Sequence, residues 1–160
     1  MIWLLLSAVL AAIDQFSKSI VEKNVGYGEK ITVIKDFFFI TNHRNEGAAW
    51  GVLQGANYIF IPLSIIMMIV MIYFIIKRKE KFLKITLAVI LGGALGNFID
   101  RIFQDGVTDF LDFYIGSFNF PTYNFADMCI TCGTILLAIF LLFIYKENGA
   151  KIDEQERRDN

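Results

Sequence analysis

Four long apolar segments dominate this 160-residue sequence and restrict the folds open to it more than any other feature. A helix that crosses a bilayer core about 30 Å thick needs roughly 20 apolar residues. Residues 58–76 contain no charged side chain, and Asp127 is the only charged residue in 125–145. The segments 1–21 and 85–99 are weaker, because one is interrupted by charges and the other is shorter. We therefore predict an all-α membrane protein, a four-transmembrane-helix bundle.

The composition excludes most other classes of protein. Hydrophobic residues make up 56% of the chain and charged residues 19%, whereas a soluble domain keeps roughly a quarter of its residues charged. The net charge of −1 gives no indication of nucleic-acid binding. Cys129 and Cys132 form a single Cys-x-x-Cys pair, which is too little for a disulfide scaffold or a zinc site. We interpret both as helix-packing residues and predict neither a metal nor another cofactor.

The first apolar segment also resembles a secretory signal peptide in composition, since Ala8, Ala11 and Ala12 imitate a cleavage site. No Lys or Arg precedes it, however, and it continues past Asp14 to Val21. We expect it to be retained as the first span.

Basic residues predict the orientation of the bundle. The connection 77–84 contains five Lys or Arg residues, which marks it as cytoplasmic by the positive-inside rule. Both termini are then cytoplasmic, and the loops 22–57 and 102–124 face outward. We predict one membrane domain over 1–145 and a polar, disordered cytoplasmic tail over 146–160.

The first outward loop has the pattern of a small sheet. Residues 30–34 and 36–42 are rich in β-branched and aromatic side chains, as short strands are. We predict that they form a small extracytoplasmic β-sheet cap on the bundle. In the third span, Gly92 and Gly96 form a Gly-x-x-x-Gly pattern, which lets helix backbones approach closely and predicts a central position for that helix.

Ionisable residues inside spans are costly and therefore indicate function. Asp14 and Lys18 are four residues apart on one helix face, and we predict that they form an ion pair. Asn97, Asp100 and Arg101 share one face at the outward end of the third span. We expect Asp100 to remain ionised by pairing with the guanidinium of Arg101.

The predicted topology brings four carboxylates to the same outer boundary of the membrane. They belong to Asp14, Asp100, Asp109 and Asp127. Asp109 lies within an alternating apolar stretch, and Asp127 stands at the start of the fourth helix. Such a cluster can bind a cation, carry protons or form an aspartic-protease pair that shares one proton. The chemistry of the residues alone does not choose among these.

Three further titratable residues are expected at the surface. Asp105 and Asp112 lie in the second outward loop, and His43 lies in the first. The sequence has no other histidine, and we find no Ser/His/Asp constellation.

Five motifs in register resemble those of lipoprotein signal peptidase, also called signal peptidase II. The resemblance extends from Asp14 to about Tyr145. Its motifs are Asp14–Lys18, Asn45–Trp50, Gly92–Arg101, Val107–Phe110 and Asn124–Ile130.

The resemblance implies a bacterial intramembrane aspartyl protease of the cell membrane, with its active site near the outer face. Such an enzyme removes the signal peptide of a prolipoprotein on the amino side of a diacylglyceryl-modified cysteine. Its partners are therefore these precursors and membrane lipid, and we expect it to be monomeric. The outward loop is expected to close over the substrate and exclude bulk water.

By the same resemblance, Asp109 and Asp127 form the catalytic pair, with Asp100 as the rival for the first position. The other site residues are expected to bind substrate, orient the carboxylates or support the site. They are Asp14, Lys18, Asn45, Gly47, Asn97, Asp100, Arg101 and Asn124.

Two functions of other classes stay open on the residues alone. A small proton- or cation-coupled transporter would use the same buried carboxylates, although we find no internal repeat of the kind common in transporters. A noncatalytic membrane scaffold would leave the acidic cluster unexplained.

Overall fold

The computed structural model describes residues 1–47, 55, 57–104 and 106–145, without the side chain of Tyr145. The predictions for Ala48–Trp50, Asp105 and the tail 146–160 lie outside these residues. Helices α1 (Ile2–Asn24), α2 (Asn57–Lys77), α3 (Lys81–Phe103) and α4 (Phe125–Ile139) account for the four apolar segments, and α4 continues as a π-helical stretch, Phe140–Tyr145. By length and composition, four helices within the described residues can cross a membrane.

Helix α3 is the central helix of the bundle, as its glycines predicted, and it contacts α1, α2 and α4. A Cβ atom at Gly92 would lie 2.8 Å from Cβ of Leu10 on α1, and one at Gly96 would lie 2.5 Å from Oδ2 of Asp14. On the other side, Gly93 lies against the backbone of Ala126 in the first turn of α4. These contacts bring α1 and α4 close to α3, because no side chain of α3 projects at these three positions.

Helix α2 is attached to the bundle along one side. Its buried residues, Met68, Met71 and Ile75, join a core cluster with α3 residues such as Leu87 and Leu91. Most of its other large apolar side chains are exposed. A surface of this kind is suited to hydrocarbon, so α2 fits a lipid-facing position.

The sheet has four antiparallel strands in the order β1 (Lys30–Ile34), β2 (Phe38–Asn45), β3 (Val107–Ile115) and β4 (Phe118–Asn119). The two strands predicted in the first loop are confirmed as β1 and β2. The second begins at Phe38 and not at Asp36, because Asp36 adopts a left-handed conformation in the intervening turn, with φ of 59°.

Strand β3 joins the two predicted outward loops into one sheet. His43 of β2 lies directly opposite Asp109 of β3 in the register. Phe110 packs against Val21 and Val25 at the end of α1, which fixes the sheet on the helices. The sheet therefore lies at the end of the bundle where α1 and α3 end and α4 begins, away from the basic connection 77–84.

The expectation that Asp112 is solvated is wrong. This side chain is fully buried, and its Oδ2 lies 2.5 Å from Nζ of Lys30 on β1. Lys30 also donates a hydrogen bond to the hydroxyl of Tyr114, and its ammonium lies 5.0 Å from the centre of that ring. A carboxylate can be buried when a cation compensates its charge, and here the cation comes from a distant part of the sequence.

Candidate active site

Asp127 is held at the start of α4 by a reciprocal capping box. Asn124 is the N-cap residue, and its side-chain oxygen accepts a hydrogen bond of 3.0 Å from the backbone N–H of Asp127. In return, Oδ2 of Asp127 accepts a bond of 3.2 Å from the backbone N–H of Asn124. The prediction that Asp127 opens the fourth helix is confirmed, and its carboxylate has a fixed position.

Asp109 is buried in the middle of the sheet on β3, with 1% of its surface exposed. Each carboxylate oxygen accepts a side-chain amide N–H: Asn45 donates to Oδ2 at 3.0 Å and Asn124 donates to Oδ1 at 2.7 Å. Burial raises the pKa of Asp109 to about 7, and the nearby negative charge of Asp127 raises it as well.

Two asparagines connect the carboxylates in one hydrogen-bond network. Asn124 contacts both, since its amide donates to Asp109 while its oxygen accepts from the backbone of Asp127. Asn97 donates a bond of 2.7 Å to Oδ1 of Asp127, and its oxygen accepts from Asn124 at 3.2 Å and from Lys18 at 3.1 Å. Elements that are distant in sequence therefore meet at two neighbouring acids.

Both acids line a cavity of about 370 Å³ whose walls differ in chemistry. Asn45, Gly47, Asn97 and Arg101 contribute to the polar wall with the carboxylates, and the backbone N–H of Gly47 donates to the side chain of Asn45. The cavity is also lined by apolar and aromatic residues, which sequence reasoning missed. They are Val107, Phe120, Pro121, Tyr123 and Ile130.

The expected pairing of Asp100 with Arg101 is wrong. Asp100 pairs with Lys18 at 2.8 Å and is not a lining residue of the cavity. The guanidinium of Arg101 lies over the ring of Phe60 at 5.0 Å and donates a hydrogen bond of 3.5 Å to the backbone oxygen of Asn97. Among the described residues Arg101 forms no ion pair, because its side chain extends towards the cavity while that of Asp100 points back towards α1.

The predicted ion pair between Asp14 and Lys18 is confirmed, with Nζ and Oδ2 2.6 Å apart and both side chains buried. Asp100 completes the cluster, and Gln15 donates a bond of 2.6 Å to its Oδ1. Sequence reasoning missed Gln15, although a polar residue beside Asp14 in an apolar helix is a usable signal.

A second group that sequence reasoning missed fastens β3 to the end of α1. The hydroxyl of Thr108 donates a bond of 2.6 Å to Glu22, which also pairs with Arg44 of β2 at 3.5 Å. Arg44 in turn donates to the backbone oxygen of Gln104. These contacts hold β3 in place at Thr108, the residue before Asp109.

The remaining candidates lie away from the cavity. His43 is exposed, as expected. Cys129 is buried and packs near Gly93, whereas Cys132 is exposed, so the interpretation as a helix-packing residue holds for Cys129 alone. Within the described part of the chain, no group of three His, Cys, Asp or Glu residues is arranged to bind a metal ion.

Comparison with known proteins gives consistent matches. A family model described as signal peptidase (SPase) II matches residues 6–143. A lipoprotein signal peptidase of Bacillus pumilus (strain SAFR-032) is 41% identical over 89% of this chain and 93% of its own length. One of Geobacillus thermodenitrificans (strain NG80-2) is 43% identical over 89% of this chain and 90% of its own length.

Two solved structures have the same fold, and both are described as bacterial membrane enzymes obtained by the in meso method. The first has a TM-score of 0.81 and 39% identity, and the match covers 88% of this chain and 87% of the other. The second has a TM-score of 0.79 and 39% identity, over 88% and 92% of the two chains.

Proposed function

The chain belongs to the signal peptidase II family of aspartic-type peptidases, and from this premise we propose that it removes signal peptides from lipoprotein precursors with Asp109 and Asp127 as its catalytic pair. This assignment favours the peptidase over the transporter and scaffold alternatives. The observation that carries the proposal is the position of Asn124, which contacts both acids at the wall of one cavity.

The proposed mechanism uses one proton shared by the pair. One carboxylate removes a proton from the attacking water as the water oxygen bonds to the scissile carbonyl carbon, while the protonated partner polarises the carbonyl oxygen. The C–N bond breaks as the tetrahedral intermediate collapses, and the carboxyl group that took the proton donates it to the leaving amine. The raised pKa of Asp109, to about 7, supports this state, because an acid of that pKa keeps its proton in much of the neutral range.

Three groups of residues support the chemistry in this proposal. Asn45, Gly47 and Arg101 line the cavity and bind the substrate backbone. Asn97 and Asn124 orient the carboxylates. A buried cluster of charged residues supports the site, and its members are Asp14, Lys18 and Asp100.

The substrate class follows from the location of the site in the bundle. A diacylglyceryl-modified precursor is already confined to the membrane, so its scissile bond lies near the headgroup boundary. The site lies at the end of the bundle away from the basic connection 77–84, and the positive-inside rule supports an outward orientation of that end. The proposed enzyme is a monomer with cytoplasmic termini, a peptidase domain over 1–145, a cytoplasmic tail over 146–160 and an extracytoplasmic sheet.

The substrate proposal is tested with purified protein in nanodiscs. We expect cleavage of a diacylglyceryl-modified precursor immediately before the modified cysteine, as read from product masses. The same precursor without the lipid is the control, and its kcat/KM is expected to be lower by about 100-fold or more, because remote binding energy is lost. Equal cleavage of both precursors, or cleavage at another bond, would contradict the proposal.

The pH dependence of cleavage is a further prediction. As the pH rises through about 7, Asp109 loses its proton, the pair no longer supplies the proton that polarises the carbonyl, and kcat/KM should fall. The amide of Asn45 favours the ionised form and so lowers the pKa of Asp109. Asn45→Ala should therefore move the decline to higher pH, as measured by the pH profile of kcat/KM.

The control for this profile is His43→Ala. His43 lies opposite Asp109 in the register, and it is the single histidine of the sequence. The decline should persist unchanged in this variant. Disappearance of the decline would show that it does not come from the acid pair.

A further inference from the structure

A buried cluster of three charges lies behind the proposed catalytic pair. Nζ of Lys18 is 2.6 Å from Oδ2 of Asp14 and 2.8 Å from Oδ2 of Asp100. All three side chains are at least 97% buried. Helices α1 and α3 contribute these residues, and their charges do not line the cavity.

Each carboxylate of this cluster accepts a hydrogen bond from a backbone N–H group. In each case that N–H group belongs to the residue immediately before one acid of the proposed catalytic pair. Asp14 accepts a bond of 2.9 Å from Ala126, the residue before Asp127. Asp100 accepts a bond of 3.2 Å from Thr108, the residue before Asp109. The start of α4 and the strand β3 are thus held by equivalent contacts, and Lys18 is the cation that bridges both carboxylates. The amide of Gln15 also donates to both, at 3.4 Å to Asp14 and 2.6 Å to Asp100, but it carries no charge.

Building on the proposed function, we propose that Lys18 is a positioning residue that sets the spacing of Asp109 and Asp127 by holding Asp14 and Asp100 together. Without its charge, two carboxylates in a region of low dielectric would repel each other and separate. Because one is bonded to the start of α4 and the other to β3, their separation would move the two acids apart. Lys18 also donates to Asn97, which orients Asp127 directly.

The chain contains a matched control for the charge removal. Lys30 forms an ion pair with the fully buried Asp112 in the sheet, and neither residue lines the cavity. Both Lys30→Met and Lys18→Met therefore remove a lysine that pairs with a buried carboxylate. Only Lys18→Met also disturbs the contacts to Ala126 and Thr108. A general loss of stability would affect both variants, whereas a positioning role affects one.

The first measurement is kinetic, in nanodiscs with the lipidated precursor and with equal amounts of folded enzyme. For Lys18→Met we expect kcat to fall about 30-fold with little change in KM, since displacement of a reacting group costs rate and not ground-state binding. Lys18→Arg keeps the charge and should recover much of kcat, and Lys30→Met should stay within about threefold of the parent. A folded Lys18→Met enzyme with the parental kcat, or with a change confined to KM, would overturn the inference.

The second measurement needs no substrate and follows amide hydrogen exchange. Asp14→Ala should accelerate exchange at the start of α4, which includes Ala126, and not in β3. Asp100→Ala should accelerate exchange around Thr108 and not at the start of α4, while Lys18→Met should accelerate both. Equal acceleration of both segments by each aspartate variant, or no acceleration, would overturn the inference, as would failure of all three variants to insert.

The two measurements separate this inference from the proposed function. If the parent enzyme does not cleave the lipidated precursor, the proposed function fails, while the exchange pattern still decides whether Lys18 holds both segments. If the parent cleaves and Lys18→Met cleaves equally well, only the inference about Lys18 fails.

Discussion

Asp109→Asn and Asp127→Asn are each expected to lower kcat by about 10³-fold or more, because an amide can neither take a proton from water nor return one. Both oxygens of Asp109 already accept amide N–H groups, so Asp109→Asn also leaves one donor without an acceptor. That loss costs about 1–3 kcal/mol in a buried site. Insertion and thermal unfolding must therefore be measured beside the cleavage of the lipidated precursor.

The matched control is Asp112→Asn, which alters a third buried aspartate on the same strand as Asp109. Its carboxylate pairs with Lys30 and does not line the cavity. We expect it to lower the unfolding temperature while leaving kcat within about threefold of the parent. Cleavage that survives in inserted forms of both dyad variants would refute the aspartyl mechanism.

Asn124→Ser is expected to lower kcat by about 100-fold or more while the helix remains capped, since the reacting acids lose a shared positioning group. Serine caps a helix about as well as asparagine does. Its side chain is too short, however, to replace the bonds that Asn124 donates to Asp109 and Asn97. The measurement compares kcat with the unfolding temperature of the same preparation.

Asn124→Ala separates the two roles of this residue. It removes the cap as well as the bonds to Asp109 and Asn97, so it should be less stable than Asn124→Ser by about 1 kcal/mol with a similar kcat. If Asn124→Ser cleaves at the parental rate, Asn124 acts only as a helix cap. The contact of Asn124 with both acids would then no longer support the assignment of Asp109 and Asp127 as the catalytic pair.

The helices and the first two strands could be predicted because local patterns encode them. Apolar length located the spans, and the glycines of the third span predicted its central position, since close helix contact requires small residues at fixed intervals. Strand β3 pairs with β2 from Val107 to Phe113, and it was not predicted as part of the same sheet. Its partner lies more than 60 residues earlier, and no local pattern specifies that pairing.

Part of the site could be predicted, and the wrong predictions for Asp100 and Asp112 have the same cause. Topology alone brought Asp109 and Asp127 to the same end of the bundle. The partner of Asp100 was assigned to its sequence neighbour Arg101, whereas the actual partner, Lys18, comes from another helix. The burial of Asp112 was missed for the same reason, because charge compensation depends on residues that only the folded chain brings together.

The glycine contacts of α3 determine how the protein can adapt to membranes of different thickness. At Gly92, Gly93 and Gly96, atoms of α1 and α4 lie directly against the backbone of α3, which leaves little room for α1 and α4 to slide along it. We therefore expect a change in bilayer thickness to tilt these three helices together and to deform the surrounding lipid locally. On this expectation, the distance between the two acids stays constant when the thickness of the membrane changes.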